Sequence, residues 1–193
     1  MSTHRPILAI YKDVLRSGRG ADRVTAALAN ALAKRGYCVH LLTQQPKGEA
    51  LSVTLDSTVT LHRVQIPKPS ATLRFLNKLL LKSAGGARLL RSLPALDLTQ
   101  RVSLKLQATL REIHPDLILS SGPNEAVDLT YAGPLPAPLL QLFHTYPPSA
   151  FASNKRRRAD RLREALRHVA ACQVLLPDFV PLLRPYTEAP CTA

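Results

Sequence analysis

Tryptophan is absent from this 193-residue chain, and the aromatic residues together make up only 5% of it. So thin an aromatic inventory offers no stacking platform for unpaired bases, and no recognition-helix motif is present, so no nucleic-acid partner is expected. Cysteine is scarce and odd in number: Cys38, Cys172 and Cys191 stand far apart, two of them inside apolar runs. That excludes a disulfide framework and a zinc knuckle and leaves buried structural thiols as the expectation. Nowhere do 18 apolar residues run together, and Pro6 interrupts the segment Met1 to Tyr11 with no small-residue cleavage site behind it. Neither a membrane span nor a secretory signal is written there, and a cytoplasmic protein is expected. Acids are few as well, with 13 Asp plus Glu against 26 Lys plus Arg and a formal net charge of +13.

What is present is enough apolar material for a core. With 46% hydrophobic residues, 20% charged residues and a mean hydropathy of -0.02, the composition excludes disorder along the whole chain and suits one globular domain. The positive charge is gathered in two places. Ser70 to Leu93 holds Arg74, Lys78, Lys82, Arg88 and Arg91 with no acid. Phe151 to His168 holds Lys155, Arg156, Arg157, Arg158, Arg161, Arg163 and Arg167 against Asp160 and Glu164. Such patches draw phosphates, and a solvated charged face is the other reading of both. In the first patch Leu73, Leu76 and Leu80 repeat at helical spacing beside Arg74, Lys78 and Lys82, a pattern that suits an anionic membrane surface.

Apolar runs alternate with stretches of 3.6-residue period, the pattern of strands feeding crossover helices, so the fold class is α/β. Strands are expected at Pro6 to Tyr11, Cys38 to Thr43, Val59 to Val64, Leu117 to Ser121, Pro138 to Phe143 and Cys172 to Leu176. Between the first two, Val24, Leu28, Ala31 and Leu32 mark a helix that stops at Gly36. Further helices are expected over Ala71 to Leu93, over Leu98 to Ile113 ending at His114-Pro115, over Asn124 to Tyr131 with Asn124 as cap, and over Lys155 to Ala171.

In an open α/β sheet, ligands bind outside the carboxyl ends of the strands. The loops there are Lys12 to Gly20, Ser120 to Asn124 and His144 to Pro148. Gly18-Arg19-Gly20 precedes a helix, whose free N–H groups and positive dipole end suit a phosphate; a glycine that only shapes the turn is the alternative. The loop is neither a dinucleotide fingerprint, since Arg23 stands at the third glycine, nor a P-loop. His144 closes a buried strand on the ligand edge, where it either contacts a polar ligand or pins its own loop. No two histidines stand four residues apart, and neither metal nor cofactor is expected.

Four segments in order make the chain resemble a family. They are Gly18-Arg-Gly-Ala-Asp-Arg-Val24, Ala33-Lys-Arg-Gly-Tyr-Cys-Val-His-Leu-Leu42, His114-Pro-Asp-Leu-Ile-Leu-Ser-Ser-Gly122 and the strand end at His144. They resemble the amino-terminal Rossmann-like domain of a GT-B glycosyltransferase of family 4, which shows Gly-Gly-x-Glu-Arg, Arg-Gly-His-x-Val, Pro-Asp-x-Ile and a strand ending in His. Arg19 stands at the first glycine and Asp22 at the glutamate of the first motif. The resemblance implies a mostly parallel sheet with helices on both faces, spanning 1–186, with 187–193 as a tail toward a second domain. It implies retaining transfer of a sugar from a nucleotide diphosphate donor to a lipid or polysaccharide acceptor. Gly18, Arg19 and Gly20 would face the donor diphosphate, His144 the donor sugar, and Asp13, Ser121, Gly122 and Asn124 the acceptor. The family's carboxyl-terminal domain carries glutamates eight positions apart. Here Glu49, Glu112, Glu125 and Glu164 are followed at that spacing by Ser57, Ser120, Gly133 and Cys172. A chain lacking the donor half, inactive alone and peripheral on the inner face of the membrane, is therefore expected. A non-catalytic basic module for anionic membrane or nucleic acid is the alternative.

Overall fold

The computed structural model describes residues 5–15, 20–65, 70–82, 97–152 and 156–193, without the side chains of 73, 74, 77, 81, 82 and 156–158. Seven strands form one sheet in the order β3-β2-β1-β4-β5-β6-β7, every neighbouring pair parallel. They are β1 Ile7–Tyr11, β2 Cys38–Thr43, β3 Thr60–Arg63, β4 Leu117–Ser120, β5 Leu139–Phe143, β6 Ala171–Val174 and β7 Cys191–Thr192. The helices are α1 Gly20–Lys34, α2 Ala71–Lys82, α3 Leu98–Ile113, α4 Pro123–Thr130, α5 Pro147–Phe151, α6 Arg156–Leu166 and α7 Val180–Leu183.

The central strands are apolar without alternation because both faces of the sheet are covered. Successive residues then serve opposite cores. Tyr11, Leu42, Ile118 and Phe143 join Leu106 and Leu110 of α3, Leu129 of α4 and Leu162 and Leu166 of α6 on one face. Ile10, Leu41 and Leu119 join Leu15 and Ala29 on the other. Each such fully buried leucine contributes about 1.5–3 kcal/mol relative to exposure.

Local chemistry sets the helix ends. Asp97 is buried and its Oδ1 accepts from the Thr99 and Gln100 N–H groups at 2.9 and 3.2 Å, which caps α3. His114 closes that helix in the left-handed region at φ 51°, donating its N–H to the Leu110 carbonyl, and Pro115 forbids continuation.

Four expectations need correction. The buried stripe of α1 is Asp22, Thr25, Ala26 and Ala29, whereas Val24 is exposed and Leu28 half-buried. Small side chains let the helix lie close on the sheet, and the larger apolar ones turn to its flank. The cap of α4 is the extended backbone of Gly122, followed by Pro123, and Asn124 lies exposed inside the first turn. A seventh strand, β7, lies in the segment 187–193 and pairs Cys191 with Cys172 of β6. Of the three free thiols only Cys172 is buried; Cys38 and Cys191 are half-buried.

Candidate functional site

Strand order reverses between β1 and β4: the chain leaves β1 toward β2 and β3, then crosses back to β4 on the other side. In open α/β sheets a switch point of this kind is where the ligand crevice forms, at the carboxyl ends of the strands. Lys12 and Asp13 follow β1, and Ser121 and Gly122 follow β4 and lead into α4.

Two polar networks fill the crevice floor. In the first, Lys12 Nζ donates to both Asp13 Oδ1 and Glu125 Oε1, with the Lys12 side chain 12% exposed and that of Glu125 4%. Burial acts to lower the Lys12 pKa, but the carboxylates of Glu125 and Asp13 outweigh it and the ammonium is held above its ordinary value. Glu125 shows the opposite balance. Burial raises its pKa more than Lys12 lowers it, and the Asp13 charge adds to the rise. An ammonium already shared by two carboxylates has no charge left for a diphosphate, so Lys12 is an organiser of the site rather than an anion receptor.

In the second network Tyr11 donates its hydroxyl to Asp128 Oδ2 at 3.0 Å, and Gln44 Nε2 donates to the same oxygen at 3.2 Å and to the Tyr11 hydroxyl oxygen. Burial pushes the Asp128 carboxyl up to about 6, aided by the charge of Glu125. The Tyr11 phenol is raised by burial and then by Asp128, so it remains a donor. Glu125 and Asp128 stand three residues apart on one face of α4, which aims both at β1. Gly122 makes room for this: a Cβ there would lie 2.5 Å from Glu125 Oε2.

The sequence-derived residues take these places. Asp13 Oδ1 also accepts from the Val14 N–H at 2.7 Å. Ser121 is 2% exposed, with no hydrogen-bond partner for its Oγ. Asn124 is exposed at the mouth. Asp13, Ser121 and Gly122 therefore come together at the switch point. His144 follows β5, and its Nε2 is buried without a hydrogen-bond partner. Burial and the Lys12 charge hold its pKa below the usual histidine value, so the ring is neutral near pH 7.

Beside His144 is a hollow of about 250 Å³ lined by Val24, Leu28, Leu142, Gln173 and Leu175. Val24 and Leu28 belong to α1, so this hollow joins His144 to the helix that Gly20 begins. Gly20 is exposed, its φ is not positive, and an added Cβ would meet nothing within 4 Å. Gly18 and Arg19 lie outside the described residues. Lys78 is exposed on α2, and the side chains of Arg74 and Lys82 lie outside the described ones. Among the described residues no group of three or more His, Cys, Asp or Glu is placed to hold a metal ion.

Lys12, Tyr11, Gln44, Glu125 and Asp128 escape sequence reasoning, because their partners lie up to 117 residues away. The available signal was a Tyr-Lys-Asp run ending a buried strand, together with acids at 125 and 128 just after another.

Residues 18–176 match the profile of Glycosyltransferase Family 4. No curated protein sequence matches the chain. Among solved structures, sucrose-phosphate synthase from Thermosynechococcus elongatus aligns with a TM-score of 0.62 at 16% identity, covering 98% of this chain and 47% of that one. Arabidopsis thaliana UGT89C1, complexed with UDP-L-rhamnose, aligns at 0.59 and 13% identity, with 99% and 48% covered. Glycyrrhiza uralensis UGT73P12, complexed with glycyrrhetinic acid 3-O-monoglucuronide, aligns at 0.53 and 12%, with 97% and 48% covered. At these identities the likeness is one of fold, and the chain spans about half the length of these structures. The architecture is a Rossmann-like α/β domain of the kind that forms the amino-terminal half of a GT-B glycosyltransferase.

Proposed function

The chain belongs to Glycosyltransferase Family 4, and from that premise we propose that it is the acceptor-side half of an enzyme that moves a sugar from a nucleotide diphosphate donor to a lipid or polysaccharide acceptor with retention. The observation that carries this reading is the buried Nε2 of His144, unpartnered at the carboxyl end of β5 beside an open hollow. A buried polar atom without a partner costs about 1–3 kcal/mol, and a ligand hydroxyl at that point would remove the cost. The UDP-L-rhamnose bound to the Arabidopsis neighbour of the same fold supports a nucleotide sugar as that ligand. Gly18, Arg19 and Gly20, the last of which begins α1, are the proposed diphosphate contact. Asp13, Ser121, Gly122 and Asn124 border the proposed acceptor.

Kinetics test this. The isolated chain is expected to give no multiple-turnover transfer. Joined to a carboxyl-terminal domain of the family, it should transfer sugar, and His144→Ala should lower kcat on the order of tenfold to a hundredfold. Gly20→Val should leave the fold intact, given the open space at its Cβ, and raise the donor Kd by blocking close approach of phosphate. Unchanged kinetics in a folded His144→Ala protein would reduce His144 to a residue that pins its loop.

A second observation favours contact with an anionic membrane. No helix among the described residues is long and apolar enough to cross a bilayer. On α2, however, Phe75 is 66% exposed, Leu79 54% and Leu76 39%, with Lys78 exposed beside them. Of the Leu73, Leu76 and Leu80 stripe of the sequence pattern, Leu76 shares this ridge, Leu80 is half-buried, and the side chain of Leu73 lies outside the described ones. A ridge of large apolar side chains beside Lys78, in a helix whose sequence also carries Arg74 and Lys82 and no acid, suits the headgroup layer of an inner cytoplasmic face. Each cation adds about 1 kcal/mol at such a surface. Co-sedimentation with vesicles should rise with phosphatidylglycerol content and fall with salt. Changing Phe75 and Leu79 to Ser, or Arg74, Lys78 and Lys82 to Ser, should each reduce it severalfold. Equal sedimentation of wild type and both variants would leave α2 a solvated face.

A further inference from the structure

Strand β2 opens on Cys38 and carries His40 two residues later, so the pleat sets both side chains on one face. β3 runs parallel to β2 with His62 in register with Leu42, which brings His62 one diagonal step from His40 on that same face. Cys38 Sγ lies 3.4 Å from His40 Nε2, and His40 Nδ1 lies 2.8 Å from His62 Nε2. The two ring centroids are 5.0 Å apart and the planes incline by 19°. With ring nitrogens only 2.8 Å apart, that places the rings edge to edge in nearly one plane, where the lone pair of one nitrogen lies along the N–H of the other.

Two assignments of protons satisfy both contacts, since the hydrogens can run from His62 through His40 to the sulfur or the other way. The one that leaves a base beside the thiol has His40 carrying its hydrogen on Nδ1 and donating it to His62 Nε2, with the His40 Nε2 lone pair accepting the Cys38 S–H. Burial lowers the pKa of His40, and the His62 ring lowers it further. Burial lowers that of His62 as well, against the Glu112 carboxylate at the end of α3. Both rings are neutral near pH 7 and able to take a proton. Cys38, His40 and His62 are all half-buried, so solvent reaches them. They stand on the β2–β3 side of the sheet, while Lys12, Ser121 and His144 follow β1, β4 and β5.

We propose that Cys38, His40 and His62 form a thiol-exchange site whose substrate is a small disulfide. The Cys38 proton passes to His40 Nε2, and the sulfur attacks one sulfur of the disulfide. The S–S bond of the substrate breaks as the new S–S bond to Cys38 forms, and the departing thiolate recovers the proton from His40. Cys38 is thereby oxidised to a mixed disulfide, and one equivalent of small thiol is released. His62 Nε2, accepting the Nδ1–H of His40, shares the positive charge while His40 is protonated, as the orienting member of a triad does.

The other two thiols lack this arrangement. Cys172 is fully buried, and burial together with Cys191 pushes its thiol up to about 12. Cys191 is raised by burial, and its S–H is directed 3.2 Å to the Ala189 carbonyl, which cannot take a proton. The chain therefore contains its own reference thiols, one inert and one half-buried without a base.

The whole chain, treated with oxidised glutathione and read residue by residue by mass spectrometry, tests the assignment without reference to sugar transfer. Cys38 should form the mixed disulfide on the order of tenfold faster than Cys191 at pH 7, with Cys172 protected. His40→Gln should slow Cys38 by about tenfold and move its pH–rate profile upward, leaving the Cys191 rate unchanged. His62→Gln should slow it by a smaller factor, about threefold. Continued protection of Cys172 reports an intact fold in both variants. Equal rates at Cys38 and Cys191 in the wild type would overturn the proposal, and so would an unchanged Cys38 rate and pH profile in a folded His40→Gln protein.

Discussion

Replacing Lys12 by methionine is expected to lower the unfolding free energy by about 3–5 kcal/mol at pH 7, the cost of stranding a buried carboxylate. Glu125 is the stranded group, its side chain 4% exposed and its partner gone. Asp13 is left as well, yet its side chain is 36% exposed and water can serve it. The sign with pH follows from Glu125. Its folded pKa is already above the ordinary carboxylate value, so the folded state prefers it protonated, and loss of Lys12 strengthens that preference. The penalty should therefore be full near neutral pH and shrink as acid supplies the missing proton. Urea unfolding of wild type and Lys12→Met at pH 7 and pH 5 measures both parts. A penalty below about 1 kcal/mol, or one equal at both pH values, would show that water already compensates Glu125.

Acid should also relieve Asp128. A group whose folded pKa is raised from 3.8 to about 6 withholds stability at neutral pH and returns it as pH falls through 6 toward 3.8. The full displacement corresponds to about 3 kcal/mol. Three histidines oppose it: His40, His62 and His144 have folded pKa values below the usual one, so their contribution is lost as pH falls through the histidine range. The raw pH dependence of the wild type mixes these effects. Subtracting the profile of Asp128→Asn removes the histidine contributions, which the two proteins share. The stability of wild type minus that of Asp128→Asn should rise by about 2–3 kcal/mol between pH 7.5 and pH 4.5. A flat difference would mean that Asp128 is ionised in the fold at little cost.

How much of this was legible in the sequence depended on the kind of signal each element leaves. Cys38 to Thr43 and Leu98 to Ile113 coincide with their elements because an unbroken apolar run and a proline-terminated 3.6-residue period have few other readings. The buried face of α1 was misplaced because hydrophobicity is a poor proxy for closeness. Ala26 and Ala29 are buried for being small, while Val24 and Leu28 are left to border the hollow at His144. Strand β7 consists of Cys191 and Thr192 alone, too short to show a period. In the site, His144, Asp13 and Ser121 could be read from their positions at strand ends. Glu125 and Asp128 acquire meaning only when β4 is laid beside β1, a pairing that no local pattern of residues announces.

That pairing bears on the order in which the protein is made. β1 leaves the ribosome first and can pair with β2 about thirty residues later, but its other edge must wait for Leu117 to Ser120. At roughly 5–20 residues per second, the interval between completing β2 and completing β4 is on the order of ten seconds. Throughout it, Ile10 and Tyr11, fully buried in the finished fold, belong to a strand with an open hydrogen-bonding edge. Lys12 and Asp13 at its end keep charge beside that edge until Glu125 arrives. The same salt bridge that organises the crevice thus begins as a charged guard on a nascent strand, in the role that lysine plays on natural sheet edges.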